Sequence, residues 1–267
     1  MPNEVYTTYD NIVLENKMTD LVNTNIDVNS LFTTDDSLVE NAGMKKVINK
    51  YTYSGEVEKL AKGAKNTAAK KGAVTYVPSE YTVERYQHTF EYNDEDIMKD
   101  PYVLEVMTKG ASTVVSNEIK SEYFAELAKI SKSFEYDTFN YDAVVDALAS
   151  INKEVEDGLF IVMGTDSRAT IRKDSDYKAS KQGEILYTGQ FGSISGIPCV
   201  CSKLVPEDTV YITNKAAVKF FRKKTGTVEQ DRDIETKDNT VVYSRYGIMA
   251  LVDESNSIKM TKKESEE

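Results

Sequence analysis

DEDIMKDPYVLEVMTKGASTVVSNEIKSEYFAELAKISK, residues Asp94–Lys132, is the stretch whose reading decides the fold. Leu104, Met107, Ala111, Val114, Val115, Ile119, Phe124, Leu127 and Ile130 recur mostly three or four residues apart, on one broad face of a helix. Asp100-Pro101 supplies a start signal. An aspartate at the N-cap accepts from free backbone donors, and a proline at the first helical position gives up no needed N–H. The spacing predicts a short lead-in turn and then one helix from Pro101 to Lys132, roughly 45 Å long at ~1.5 Å per residue. A rod with one apolar side needs a flat partner.

The C-terminal third offers one. Ile197–Ser202, Thr209–Thr213, Thr227–Ile234, Thr240–Val252 and Ser257–Thr261 read as strands, separated by turns at Val205–Asp208 and Lys237–Asn239. They are expected to form an antiparallel sheet beneath the long helix. Lys215–Arg222 is a further short helix or strand. Between helix and strands, Tyr141–Lys153 reads as an amphipathic helix burying Val144, Val145, Leu148 and Ile151. Leu159–Met163 (LFIVM) is the continuous apolar run of a strand buried on both faces. A turn at Gly164 leads into a helix over Ser167–Lys173, and Asp174–Ser195 is a polar connection. The fold class is α+β, with the middle third inserted as a second lobe.

Ahead of the long helix the chain changes character. Tyr9, Ile12, Val13, Met18, Leu21 and Val22 fit one amphipathic helix, either a solvated terminal helix or an arm lying on a neighbouring subunit. Lys46–Tyr53 and Tyr81–Tyr92 are rich in β-branched and aromatic residues and read as the two strands of a long hairpin. The segment between them has too few large apolar residues for a core. Residues 43–72 hold eight lysines against two glutamates, a basic stretch in a chain of net charge −11. Such a tip is either a solvated loop or a reach toward an acidic surface on another copy. Nucleic-acid stacking is disfavoured because no aromatic lies between Gly55 and Tyr76.

With 33 Lys and Arg against 44 Asp and Glu over 267 residues, the balance argues against a main task of gripping phosphates. No run approaches a membrane span, and MPNEVYTTYD lacks signal-peptide features, so the chain is expected to be made and kept in the cytosol. Cys199 and Cys201 share a strand face and are expected to be reduced structural thiols, since a metal site would need further Cys or His ligands. The single histidine, His88, leaves no Ser-His-Asp or Cys-His arrangement. Gly164 lacks the companions of a phosphate loop. Asp94-Glu95-Asp96 complements the positive end of a helix or, less simply, holds a metal. Glu229, Asp231, Asp233 and Glu235 alternate along one strand, as a cation site, a solvated acidic face or a landing place for the basic tip of another subunit. Tyr51, Tyr53, Tyr81, Tyr86 and Tyr92 fit subunit contacts or an ordinary sheet. No catalytic residue, cofactor or metal is expected.

The order of these parts resembles the major capsid proteins of tailed bacteriophages, the Hong Kong 97 phage fold. The residues that carry the resemblance are Gly196–Ser202 (GIPCVCS), Val205–Thr213 (VPEDTVYIT) and Tyr243–Leu251 (YSRYGIMAL); Asn41–Tyr53 looks like capsid proteins from phages of low-GC Gram-positive hosts. The resemblance implies an N-terminal arm over 1–43 and an extended hairpin loop over 44–92 that lies on the neighbouring subunit. It implies the spine helix of a peripheral domain over 93–135, an axial domain over 136–224 meeting at five-fold and six-fold positions, and strands returning to the peripheral domain over 225–267. The implied role is a shell subunit, forming homo-pentamers and homo-hexamers around packaged double-stranded DNA in the virion. The implied partners are a portal protein, a decoration protein in some members and, since no scaffolding region precedes the arm, a scaffold that is a separate protein unless scaffolding is dispensable. Assembly would occur in the host cytoplasm without a membrane. Lys59, Lys62, Lys65, Lys70 and Lys71 are the expected hairpin contacts. An encapsulin-like compartment around an enzyme cargo is the alternative, and a small-molecule enzyme with its site in 136–224 is a third.

Overall fold

The computed structural model describes residues 11–27, 31–40, 42–152, 156–180 and 192–263. Tyr9, part of the expected arm stripe, and most of the 174–195 connection lie outside the described residues. The chain divides into two units, a small one over Ala42–Val83 and a large one made of everything on either side of it.

The large unit begins with helix α1 (Asn11–Asp27) and the short strand β1 (Thr33–Asp35). The small unit contributes β2 (Lys45–Ser54) and β3 (Ala73–Thr82). The large unit resumes with β4 (Glu84–Asn93), α2 (Asp94–Lys99), α3 (Val103–Leu127), β5 (Ser133–Tyr136), α4 (Tyr141–Ile151), β6 (Leu159–Met163), α5 (Thr165–Lys173) and α6 (Ser175–Ser180). It ends with β7 (Ser193–Ile194), β8 (Ile197–Cys201), β9 (Thr209–Asn214), β10 (Val218–Arg232), β11 (Asp238–Leu251) and β12 (Ile258–Lys262).

The expected long helix is two helices. Asp100 terminates α2, its N–H bonding to Asp96 O at 2.9 Å, while its Oδ1 accepts from Tyr102 N at 2.9 Å. The aspartate therefore works two residues earlier than an N-cap of α3 would. The main helix closes at Leu127 rather than Lys132, because Lys129 and Ile130 bond back three residues in tight turns that redirect the chain into β5. At ~1.5 Å per residue, α3 is about 37 Å long. Leu104, Ala111, Val115, Ile119, Phe124 and Leu127 are buried as the spacing predicts, whereas Val114 faces out. The same face also buries Thr108, Ser112 and Ser116. Their hydroxyls bond back to the carbonyls of Leu104 (2.6 Å), Lys109 (2.8 Å) and Ser112 (2.7 Å), so small polar residues can sit against a neighbour without an unmet donor.

That neighbour is α1. Leu14, Met18 and Val22 are buried in one cluster with α3, and Ser116 Oγ also donates to Val22 O at 3.4 Å. Glu15 adds a tie to the sheet by accepting from Val228 N at 3.2 Å. Met18 and Val22 of the expected stripe thus find a partner in their own chain.

The expected single C-terminal sheet is divided between two. The first has the order β1-β10-β11-β4, with β1 parallel to β10 and the other pairs antiparallel. The second, β5-β12-β9-β6-β8-β7, is mixed and takes β8, β9 and β12, which the sequence reading had placed beneath the long helix. β6 shows why its sequence is apolar throughout: Phe160 and Val162 enter the cluster shared with α1 and α3, while Leu159, Ile161 and Met163 enter a second cluster with α4 and α5. Asn140 caps α4 by accepting from Ala143 N at 2.8 Å, and Asn152 ends it in the left-handed region at φ 56°.

The expected hairpin also pairs differently. β2 pairs with Ala73–Thr82, in register from Lys45 opposite Thr82 to Ser54 opposite Ala73. The predicted second strand, Tyr81–Tyr92, mostly belongs to β4, which pairs with β11 in the large unit. Tyr86 and Tyr92 accordingly sit in the core, while Tyr51 and Tyr53 are exposed. Pro78 and several small residues made β3 read as part of the tip. Proline is tolerated there because a two-stranded ribbon is all edge.

Candidate assembly surfaces

The small unit is a hairpin without a core of its own. Two strands alone are marginal in water, and most of its large side chains are exposed. Because side chains alternate along each strand, Val47, Tyr51 and Tyr53 share a face with their direct or near neighbours Val74, Tyr76 and Pro78 across the ladder. The Tyr51 and Tyr76 rings lie 6.1 Å apart between centroids. On the opposite face stand Lys46, Lys50, Thr52, Thr75 and Ile48, of which Ile48 is buried. At the base of the tip, Tyr53 lies over Gly55 and Gly72, where a Cβ on either glycine would collide with its ring or hydroxyl.

The tip itself runs from Gly55 to Gly72 and includes a single 3-10 turn at Ala68–Lys70. Glu58 steadies it by accepting from Thr67 N at 2.8 Å, and Lys70 pairs with Glu56 at 3.4 Å. Lys59, Lys62, Lys65 and Lys71 are all exposed. Ala42–Val83 as a whole holds eight lysines and three glutamates, five positive charges net. The rest of the chain therefore has a net charge of −16 within the total of −11.

A second surface lies at one end of the large unit, where the structure joins two acidic clusters that sequence treats as separate. Arg232, the last residue of β10, pairs with Asp94, the first of α2, at 2.5 Å, and Asn239 donates to the other oxygen of Asp94 at 2.8 Å. Asn93 donates to Asp238 at 2.8 Å and to Thr236 O at 3.0 Å, while also capping α2 by accepting from Glu95 N at 2.9 Å. These bonds lock α2 to the β10–β11 turn. Glu95, Asp96, Asp231, Asp233 and Glu235 are thereby gathered at one end with exposed Met98 and Ile234.

The four alternating carboxylates do not form one strand face. Glu229 and Asp231 lie on β10, but the strand ends at Arg232. Asp233 belongs to the turn, where its Oδ1 accepts from Glu235 N at 2.8 Å, and these bonds hold its carboxyl below the usual range. Among the described residues, no three His, Cys, Asp or Glu side chains are placed to hold a metal ion. Cys199 and Cys201 are half-buried on β8 and form no disulfide. His88 is half-buried on β4 opposite Tyr243. Among the described residues, no helix is long and apolar enough to cross a membrane.

Ile234 is a lone apolar residue in a polar run and Met98 one of the pair Ile97-Met98, so neither belongs to a periodic pattern. Nothing in the sequence links positions 94 and 232.

Comparison with known proteins bears on these surfaces. A curated relative, the major capsid protein of Staphylococcus phage phiMR11, is 22% identical over 219 residues, covering 79% of this chain and 78% of its own length. Among solved structures, the capsid of cyanophage P-SCSP1u superposes with a TM-score of 0.71 at 11% identity, covering 88% of this chain and 87% of that one. The holo-SrpI encapsulin complex from Synechococcus elongatus also superposes, with a TM-score of 0.59 at 12% identity over 86% of this chain and 84% of its own. These likenesses show a shared fold. The model of the family described as phage capsid protein matches residues 76–259, from within β3 to within β12 and more than half of the chain, so the chain belongs to the phage capsid protein family.

Proposed function

We propose that this chain is the major capsid subunit of a tailed phage. On this reading copies assemble into pentamers and hexamers of an icosahedral shell around packaged double-stranded DNA, in the arrangement of the Hong Kong 97 phage fold. The observation that carries the reading, beside family membership, is the hairpin of Ala42–Val83: a β-ribbon with exposed aromatics offers a surface that another copy can cover. The Staphylococcus phage relative supports a low-GC Gram-positive host. The portal, separate scaffolding and decoration proteins implied by the resemblance belong to the same proposal. So do assembly in the host cytoplasm and a structural, non-enzymatic role. Many weak copies of one contact then sum to a stable shell through multivalency.

Negative-stain electron microscopy and sedimentation velocity on the purified chain, with and without the co-expressed scaffold, test this. Shells or capsomer rings are expected, and a particle that stays monomeric in both would overturn it. Replacing Lys59, Lys62, Lys65, Lys70 and Lys71 together by glutamate is expected to abolish assembly while leaving the far-ultraviolet circular dichroism of the subunit unchanged. The encapsulin likeness favours one rival, a shell around an enzyme. Finding a cargo protein instead of nucleic acid in purified particles would select it.

A further inference from the structure

We infer that an internal water molecule bridges the Tyr243 hydroxyl of β11 and the Thr19 hydroxyl of α1, in a polar niche at the bulged stretch of β10 around Gly226. The site lies within one subunit and stands independently of the shell reading.

Two hydroxyls mark it. Tyr243 is fully buried and so is the Thr19 oxygen, yet neither has a hydrogen-bond partner among the described residues. A buried hydroxyl without a partner forfeits the bonds it made to solvent, which is why nearly all such groups are paired with protein or with ordered water. The two are close together. Burial pushes the pKa of the Tyr243 hydroxyl up, Arg245 and Thr19 pull it down, and Glu15 adds to the rise, so all three side chains stand near it.

The backbone shapes the niche. Between Arg222 and Thr227, β10 falls out of step with β11 twice, and bulges of this kind bend a strand and re-aim its neighbours. Gly226 lies in that stretch, where a Cβ would collide with the Tyr243 hydroxyl. A glycine there lets the polar end of the tyrosine reach the seam between β10 and α1. Val228, opposite Tyr243 in the ladder, donates to Glu15 at 3.2 Å, so α1 meets β10 at this point.

Charge selects the occupant. Arg245, 3% exposed, brings a positive charge to the niche, and Glu15 a negative one. A cation is repelled by the first and an anion by the second. Water is neutral, accepts from a hydroxyl or a guanidinium, donates to a hydroxyl or a carboxylate, and when buried makes about three such bonds. Seated here it ties the N-terminal helix to the central strand of the first sheet.

The test is a structure of the full chain, by crystallography or electron cryo-microscopy, at a resolution that shows ordered water. A peak within hydrogen-bond distance of both Tyr243 Oη and Thr19 Oγ1 is expected. In parallel, Tyr243→Phe and Thr19→Val are each expected to lower the folding equilibrium constant about fivefold in urea denaturation, the size of one net hydrogen bond. The double variant is expected to lose clearly less than the ~25-fold product, because both deletions release the same water. Hydroxyls bonded directly to each other, a peak whose anomalous signal marks an ion, a Tyr243→Phe variant at least as stable as wild type, or a double variant that loses the full product would overturn the inference.

Discussion

The large unit and the hairpin bury their aromatic residues in opposite ways. In the large unit, Phe220 is fully buried, with its ring 6.1 Å from that of Tyr86, 6.4 Å from that of Phe32 and 5.1 Å from the Arg245 guanidinium. In the hairpin, Tyr51 and Tyr76 meet only each other across the ladder and stay open to solvent. The same residue class serves folding in one place and is left over for association in the other.

Substitutions can break that division, and the largest effect on the free subunit should come from the core. Phe220→Ala is expected to cost about 3–5 kcal/mol of unfolding free energy, measured by urea denaturation of unassembled subunits, because a cavity opens beside Tyr86, Phe32 and Arg245. A loss under ~1 kcal/mol would show that the site collapses around the missing ring.

Asn140→Ala should cost about 1 kcal/mol by the same measurement, since Ala143 N loses its capping acceptor.

Glu122→Gln should act in the other direction. Burial pushes the Glu122 carboxyl up to about 6, with Glu84, Glu118 and Glu126 adding repulsion, while a hydrogen bond donated by the Tyr86 hydroxyl pulls it back. A folded-state value raised above the ordinary 4.5 means that the ionised form disfavours the native state. That cost is fully present above pH ~6 and disappears as pH falls below ~4.5. The glutamine variant is therefore expected to be more stable by roughly 1 kcal/mol at pH 7.5, after allowance for solvent screening, and equal to wild type at pH 4. Thermal melts at both values check it, and an unchanged difference across pH would assign the effect to packing.

The smallest effect on the free subunit should come from the hairpin. Tyr76→Ala is expected to change its stability by less than ~0.5 kcal/mol, because the ring is mostly solvated already. Its effect should appear only in assembly, which is the sharpest statement of the contrast between the two regions.

Much of this architecture was legible from residue patterns. The three-to-four spacing of Leu104 through Leu127 placed the buried face of α3, and the all-apolar run Leu159–Met163 was a strand covered on both sides. The spacing of Val144, Leu148 and Ile151 likewise placed the buried face of α4, although Val145 is exposed. Errors arose where partner choice mattered. Tyr81–Tyr92 has the composition of a strand and is one over most of its length, but composition does not say whether its ladder lies with Lys45–Ser54 or with Asp238–Leu251. The apolar spacing also does not show that Thr108, Ser112 and Ser116 share the buried face of α3, because only back-bonding to the helix carbonyls hides their hydroxyls.

The candidate surface divides along the same line. The basic tip was visible as a count of lysines, since net charge is a property of the chain whatever its shape. The acidic end was not, because Asp94 and Arg232 are 138 residues apart and only the pairing of β11 with both β10 and β4 brings them together. Sequence by itself determined the helical and extended segments, the buried faces and the charge asymmetry, which depend on neighbours within a turn or a strand. Tertiary structure alone decided which strands share a sheet, that the arm helix packs on its own spine, and which exposed side chains are left without a partner. Those outcomes depend on long-range pairing, which local periodicity does not encode.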